Sequence, residues 1–156
     1  MACDILIRKA NCGDVDDIRS ITREAFAEYA ANTTAQRIDA LFETADDIKK
    51  DIENKTVLAA VYGGRISGSL RLEISGNTAQ LMRFAVRKEN RSCGIGGMLI
   101  DYAVDFVREK GVKELYLHTD LNMKPLVGFY ERRGFSVKSF ENTRGYTRAM
   151  LVKIIE

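Results

Sequence analysis

The stretch Leu81-Met82-Arg83-Phe84-Ala85-Val86-Arg87-Lys88-Glu89-Asn90-Arg91-Ser92-Cys93-Gly94-Ile95-Gly96-Gly97-Met98-Leu99-Ile100 decides how the rest of the chain is read. It joins an apolar, strand-like run to a short charged loop and then to a glycine cluster that opens an amphipathic helix. Backbone N–H groups and the positive end of a helix dipole converge at that junction, which makes it an anion site suited to phosphate. Downstream, Ile95, Met98, Leu99, Tyr102, Ala103, Phe106 and Val107 keep the i, i+3, i+4 spacing of one helical face, and Gly111 supplies a stop. Val112 to Thr119 then reads as a strand. Because a helix connects it to the run ending at Val86, the two strands should lie parallel in a right-handed βαβ unit.

Working outward, Thr56 to Tyr62, Ile66 to Ile74 and Thr78 to Val86 are strands separated by Gly63-Gly64-Arg65 and Ser75-Gly76-Asn77, which suit tight antiparallel hairpins. Asp4 to Lys9 is a first strand. Asn11 caps a helix carrying Val15, Ile18, Ile21, Ala25, Phe26 and Tyr29 at helical spacing, and Asn32-Thr33-Thr34 ends it. A second helical stretch is expected over Ala35 to Phe42, and Thr44 restarts a helix with Ile48 and Ile52 on one face. Asn32 to Thr44 is the least regular region; it reads equally as substrate-contacting or as a plain connection. Pro125 falls in the first turn of a later helix that Gly134 ends. Phe135 to Phe140 and Tyr146 to Ile155 close the chain as strands. The order βααβββαβαββ gives an α/β (α+β) fold with a mixed, mostly antiparallel sheet, one central parallel pair and helices on both faces.

Bulk composition narrows the function classes. A chain of 156 residues with 46% hydrophobic and 29% charged residues reads as one globular domain spanning 1–156. At this size folding buries roughly 70% of the unfolded surface. The net charge of +2 provides no field for nucleic acid or an anionic membrane. No apolar run reaches the ~18 residues of a membrane span, and the first residues lack a signal-peptide layout. Cys3, Cys12 and Cys93 show no paired spacing, so a reduced cytoplasmic setting is expected, without disulfides. With a single histidine in the chain, no metal site is expected.

The glycine cluster is not a Walker loop, because Met98-Leu99 stand where Lys-Ser/Thr would be needed. Nor is it a dinucleotide fingerprint: position 99 is Leu, and the unit follows an antiparallel meander. Arg91-Ser92-Cys93-Gly94-Ile95-Gly96 is instead an Arg-x-x-Gly-x-Gly after a strand. It resembles the acyl-CoA-binding motif of the GNAT N-acetyltransferase superfamily. Asn122, followed by Gly128-Phe129-Tyr130-Glu131-Arg132-Arg133-Gly134-Phe135, is similar to that family's second signature, and the element order is the family's as well. The likeness is most specific over Thr78 to Phe135.

The resemblance implies an acetyl-CoA-dependent N-acetyltransferase that moves an acetyl group directly from the thioester to a primary amine; the alternative is a non-catalytic CoA-binding module. It places the pyrophosphate of CoA on the backbone of Arg91, Ser92, Cys93, Gly94, Ile95, Gly96 and Gly97, with charge from Arg91. The pantetheine arm falls on the backbone of Phe84, Ala85 and Val86, where the parallel strands splay, and on Asn122, which otherwise reads as a helix N-cap. Tyr130 takes the position of the general acid, its phenol titrating near pH ~10 when unperturbed; by spacing alone it reads as core, on an apolar stripe with Leu126 and Phe129. The general base is left open among Glu73, His118, Asp120 and water. His118 has a suitable intrinsic pKa but a lone strand histidine is commonly structural. Some relatives present a Glu where this chain has Arg83. Cys93 at a helix start invites a lowered pKa, but its loop faces phosphate rather than a thioester. Arg37, Arg83, Arg144, Tyr146 and Arg148 are candidates for an acceptor pocket that prefers a carboxylate; Tyr146 and Arg148 read equally as a solvated strand face or a homodimer surface. The acceptor amine itself is not readable.

Overall fold

The computed structural model describes residues 4–33, 38–143 and 146–156. Arg37 and Arg144, two of the acceptor-pocket candidates, and Cys3 lie outside them. The strands are β1 (Ile5–Lys9), β2 (Thr56–Tyr62), β3 (Arg65–Ser75), β4 (Thr78–Val86), β5 (Glu114–Asp120), β6 (Ser136–Thr143) and β7 (Tyr146–Ile154). The helices are α1 (Val15–Asn32), α2 (Ala45–Asn54), α3 (Ile95–Glu109) and α4 (Lys124–Arg132). The seven strands form one sheet in the order β1-β2-β3-β4-β5-β7-β6. All pairs are antiparallel except β4–β5. The expected order and the parallel pair are therefore both present.

Each face of the sheet has its own apolar core. Val15, Ile18 and Ile21 of α1 and Ile48 of α2 pack on Val57, Ala59, Ile66 and Ala85. On the opposite face, Ile95, Leu99, Ile100, Ala103 and Val107 of α3 and Val127 and Tyr130 of α4 pack on Leu70, Leu72, Leu81, Leu115, Leu117 and Leu151. Burying each large aliphatic side chain stabilises the fold by about 1.5–3 kcal/mol.

Three boundaries move for local reasons. The α1 helix runs past Tyr29 to Asn32, whose side-chain amide donates to the Glu28 carbonyl at 2.9 Å and holds the last turn. A 3-10 turn at Cys12–Asp14, with Asn11 and Asp14 forming a capping box, precedes it. In the expected 35–42 helix, the described part is a single 3-10 turn, Asp39–Phe42. That segment has no apolar stripe long enough to sustain a helix. Thr44 caps α2 as its sequence predicts, with Asp47 answering in the box.

Two departures from regular pairing shape the centre of the sheet. In β4 the register shifts: Ser69 pairs with Ala85 and Arg71 with Met82, so Arg83 and Phe84 both oppose Leu70. This is a bulge, and bulges re-aim side chains. The β4–β5 ladder covers only Thr78, Ala79 and Gln80 against Glu114, Leu115 and Tyr116. Beyond Gln80 the two strands separate, and the β5-facing edge of β4 carries no ladder bond.

Candidate active site

The opening between β4 and β5 is the floor of a cleft of about 1190 Å³. One end lies at the start of α3. Gly94 has φ +80° and no side chain to cap the helix. The first bond of the helix runs from the Met98 N–H to the Gly94 carbonyl at 3.1 Å. The N–H groups of Ile95, Gly96 and Gly97 are thus the open donors of the first turn, at the positive end of a 15-residue helix. Gly96 is required by space as well. A Cβ there would lie 3.0 Å from Phe84 Cζ, so a side chain would crowd the wall of the cleft. Two cations flank this helix start. The Arg133 guanidinium stacks on Phe129 at 5.4 Å, donates to Asp101 at 2.9 Å and occupies the space where Gly97 would carry a Cβ. Arg91 donates through Nη1 to Glu28 at 2.7 Å and through Nε to the Val86 carbonyl at 3.2 Å. Arg91 therefore also ties α1 to the end of β4, and Glu28 offsets part of its charge.

The cleft is lined by Phe84, Ala85, Val86, Arg91, Gly94, Gly96, Gly97, His118, Asn122 and Tyr130 of the residues singled out in the sequence. Three others sit differently. The Ile95 side chain is fully buried in the core, leaving only its backbone for a ligand. Ser92 and Cys93 do not line the cleft; Cys93 packs against the core. Asn122 is exposed at the cleft edge. Its side chain does not cap α4, whose N-cap is Met123.

Tyr130 is buried, with Phe84, Phe129 and Phe135 rings 5.6–6.1 Å from its own. Burial, with the neighbouring Tyr29 adding to it, pushes its pKa well above the usual phenol range, so the hydroxyl stays protonated. Tyr29 reaches the same region from α1. Its hydroxyl oxygen accepts the Asp120 N–H at 2.9 Å. Burial raises its pKa too, while the nearby Thr119 hydroxyl and the Asp120 N–H oppose the rise. The Thr119 hydroxyl approaches without closing a well-formed hydrogen bond.

The three candidate bases separate cleanly. Glu73 is half-exposed near the β3–β4 turn, 3.4 Å from Lys55, and does not line the cleft. Asp120 is 1% exposed; Thr33 Oγ1 donates to one carboxylate oxygen at 2.5 Å and the Asn122 N–H to the other at 2.9 Å. That carboxylate holds the end of β5 to α1, with both oxygens already accepting a bond, and it does not line the cleft. His118 lines the cleft, and its Nδ1 is buried with no hydrogen-bond partner among the described residues. Burial, then the charge of Arg148, lower its pKa, with Glu141 opposing. The imidazole is neutral at neutral pH.

Behind the bulge lies an ion cluster that the sequence did not announce. Arg71 is fully buried and donates to both oxygens of Glu43, at 2.6 and 2.7 Å, and to Asp51 at 2.9 Å. Arg83, at φ +53°, is the one non-glycine residue with positive φ among the described residues. That conformation costs about 1–2 kcal/mol. Its Nε reaches Glu43 at 3.3 Å.

Comparison with known proteins places this arrangement. The PaiA N-acetyltransferase of Thermoplasma acidophilum, solved with coenzyme A, superposes with a TM-score of 0.82 at 22% identity, covering 97% of this chain and 99% of that one. A Salmonella typhimurium structure containing acetyl-CoA superposes with a TM-score of 0.79 at 16% identity, covering 98% and 95%. In sequence, the spermidine N(1)-acetyltransferase of Thermoplasma acidophilum is 24% identical over 149 residues, 89% of this chain and 92% of the relative. The mycothiol acetyltransferase of Clavibacter sepedonicus is 23% identical over 142 residues, 86% of this chain. The chain spans about half the length of several relatives it matches, 44% of the mycothiol enzyme and 48% of a Bacillus subtilis relative. The splayed sheet and the open α3 start thus sit within a match of the acetyltransferase (GNAT) family model to residues 16–135, and the chain belongs to that family.

Proposed function

We propose that the chain is an acetyl-CoA-dependent N-acetyltransferase that moves the acetyl group directly to a primary amine. The observation that carries this reading is the parallel pair that stops at Gln80 and opens onto a cleft running to the uncapped start of α3. The first-turn N–H groups of Ile95, Gly96 and Gly97 suit the pyrophosphate, and Arg133 and Arg91 add charge at the same end. The unpaired edge of β4 through Phe84, Ala85 and Val86 suits an amide-rich arm, as a strand edge pairs with an extended peptide. Asn122 at the cleft rim is placed to hold that arm from the other side.

Amide formation from a thioester puts negative charge first on the carbonyl oxygen and then on the departing sulfur. A backbone N–H on the open edge of β4 stabilises the first charge. Tyr130, whose phenol is protonated at neutral pH and which lines the cleft, is placed to give its proton to the second. The amine must lose a proton on attack. Neutral His118 is the acceptor among the three candidates, since neither Asp120 nor Glu73 lines the cleft. The free thiols of Cys12 and Cys93 suit a reducing, cytoplasmic setting. We read residues 1–156 as one domain.

Calorimetric titration with acetyl-CoA, followed by a thiol-release assay over a broad amine panel, tests the reading. Expected are micromolar or tighter acetyl-CoA binding and thiol release that depends on the amine. Tight binding with no amine-dependent release would leave the chain a CoA-binding module instead.

A further inference from the structure

The cleft continues past the β4 bulge to a region bounded by Arg83 on β4, His118 on β5 and Arg148 on β7, which are successive neighbours in the sheet order. Asp120 pairs with Arg148 and His118 with Met150, so His118 and Arg148 project from the same face of the sheet. The bulge presents Arg83 to this mouth at a backbone angle that ordinary residues avoid. Each of these three residues holds a polar atom that makes no hydrogen bond among the described residues.

Arg83 touches the rest of the described chain at one long contact, Nε to Glu43 at 3.3 Å, and its two terminal nitrogens make none. Glu43 does not depend on it, because Arg71 already donates to both of its oxygens. Arg71, Lys55 and Arg83 balance Glu43, Asp51 and Glu73 in this cluster, and of the three cations Arg83 is the one that lines the cleft, its terminal nitrogens directed to no described partner. Arg148 approaches Glu141 at 3.9 Å, beyond hydrogen-bond distance, and makes no hydrogen bond among the described residues. His118 Nδ1 is buried without a hydrogen-bond partner among the described residues, which leaves a polar group desolvated until something binds.

The acidic groups at this end are in different circumstances. Glu43 is fully engaged, Asp39 is already partnered and Glu141 is mostly solvated. A polyamine tail would meet two guanidiniums here and, among the described carboxylates at this end, only the solvated Glu141, which already lies 3.9 Å from Arg148.

We propose that this end of the cleft is an anion subsite and that the acceptor is an amine bearing a carboxylate, held by Arg83 and Arg148 beside His118. This inference rests on the transfer reading above. A planar carboxylate matches the fork of a guanidinium, and charge-assisted bonds of this kind are the strong ones.

Two experiments separate the subsite from the transfer reading. The first needs no turnover. With CoA bound, the protein is titrated with N-acetylated amino acids and with their matching carboxamides, and the resonance of the one histidine is followed against pH. The charged groups that bear on His118 are Arg148 from β7 and Glu141 from β6, with the Tyr116 ring against it. The acids should bind at least about tenfold more tightly than the amides and raise the titration midpoint of His118 by masking Arg148, whereas the amides should leave it in place. The second compares kcat/KM for amino acids, amino-acid amides and spermidine in the thiol-release assay. Amino acids should lead by about tenfold or more, with Arg83→Gln and Arg148→Gln each raising their KM and Arg83→Lys keeping part of the advantage. Arg148→Gln lies on a half-exposed strand position, so its fold is not at risk. Equal binding of acids and amides, or a preference for spermidine, would overturn the subsite and leave the transfer reading standing. If no amine releases thiol, the transfer reading falls and the acid-against-amide binding alone decides the subsite.

Discussion

At one end of the cleft, the groups that would meet a ligand are the backbone N–H groups of Ile95, Gly96 and Gly97; at the other they are the side chains of Arg83, His118 and Arg148. The first end is positioned by a single stretch of chain, a strand running into a helix through one tight connection. The second is assembled from β4, β5, β7 and, through Glu43 and Arg71, from the approach to α2. A backbone site depends on the fold being right and on small residues staying small. A side-chain site depends on partners held from a distance, and here a buried ion cluster stands behind Arg83, which it meets through Glu43 at 3.3 Å. The two ends should therefore fail in different ways.

The sharpest break is at Arg71. Replacing it with Met strips the buried Glu43 of its bidentate partner, leaving it only the long Arg83 contact while Asp51 keeps Lys55, a change expected to cost about 3–5 kcal/mol. Urea denaturation measures it. If the two ends are independent, the protein that still folds should bind acetyl-CoA nearly as wild type while losing acceptor turnover. A loss of under 1 kcal/mol would mean that the cluster does not anchor this end. Adding Glu43→Gln to Arg71→Met should recover part of the loss, since the stranded charge is then gone.

The complementary break is Gly96→Val. Its Cβ meets Phe84 Cζ at 3.0 Å, and its methyl groups cover the first-turn N–H groups. Losing two charge-assisted hydrogen bonds costs about 3 kcal/mol or more, roughly a hundredfold in Kd for acetyl-CoA by calorimetry. Stability should fall much less. An unchanged Kd would show that the α3 start is not where the pyrophosphate sits.

Tyr130→Phe tests the chemistry between the two ends. The residue is buried, but its hydroxyl closes no described hydrogen bond and is not among the buried unpartnered atoms, so removing it should leave stability within about 1 kcal/mol of wild type. A general-acid role predicts a fall in kcat of about 10²-fold or more with Kd for acetyl-CoA held. Unchanged turnover would reduce Tyr130 to a core residue.

The same contrast explains what could be read from the chain. The α3 end was legible because its parts are contiguous: a strand pattern through Val86, glycines at 94, 96 and 97, and an unbroken apolar stripe from Ile95 to Val107. The hairpins and the parallel crossover followed from turn residues and connection length. The acceptor end was not legible, because Glu43 and Arg71 are 28 positions apart and neither carries a local signal of pairing. Tyr29 sat on the apolar stripe of α1 and read as core, although its hydroxyl reaches the Asp120 N–H across 91 positions. Asp120 looked like a base candidate for the same reason: sequence shows a carboxylate near a strand end but not the two donors already on it. The bulge that turns Arg83 toward the cleft leaves no mark in a strand whose length and pattern are otherwise regular.

The smallest expected effect concerns the pH response of His118. Its folded pKa lies below its ordinary value, because burial and then Arg148 disfavour the imidazolium. The unfolded chain therefore takes up this proton first as pH falls through about 6.5, while the folded protein resists. Stability at this residue is level above that pH and declines below it, until the folded pKa is also passed. Replacing His118 with Asn removes that slope, so thermal stability of wild type relative to His118→Asn should fall between pH 7 and the folded pKa and then level off. Relieving the Arg148 charge should act in the same direction: Arg148→Gln raises the folded pKa and narrows the window, visible as an upward shift of the histidine resonance midpoint. A parallel pair of stability curves for wild type and His118→Asn would mean that the ring is better solvated than its buried Nδ1 indicates, and would weaken the contrast between a backbone end indifferent to pH and a side-chain end governed by charge.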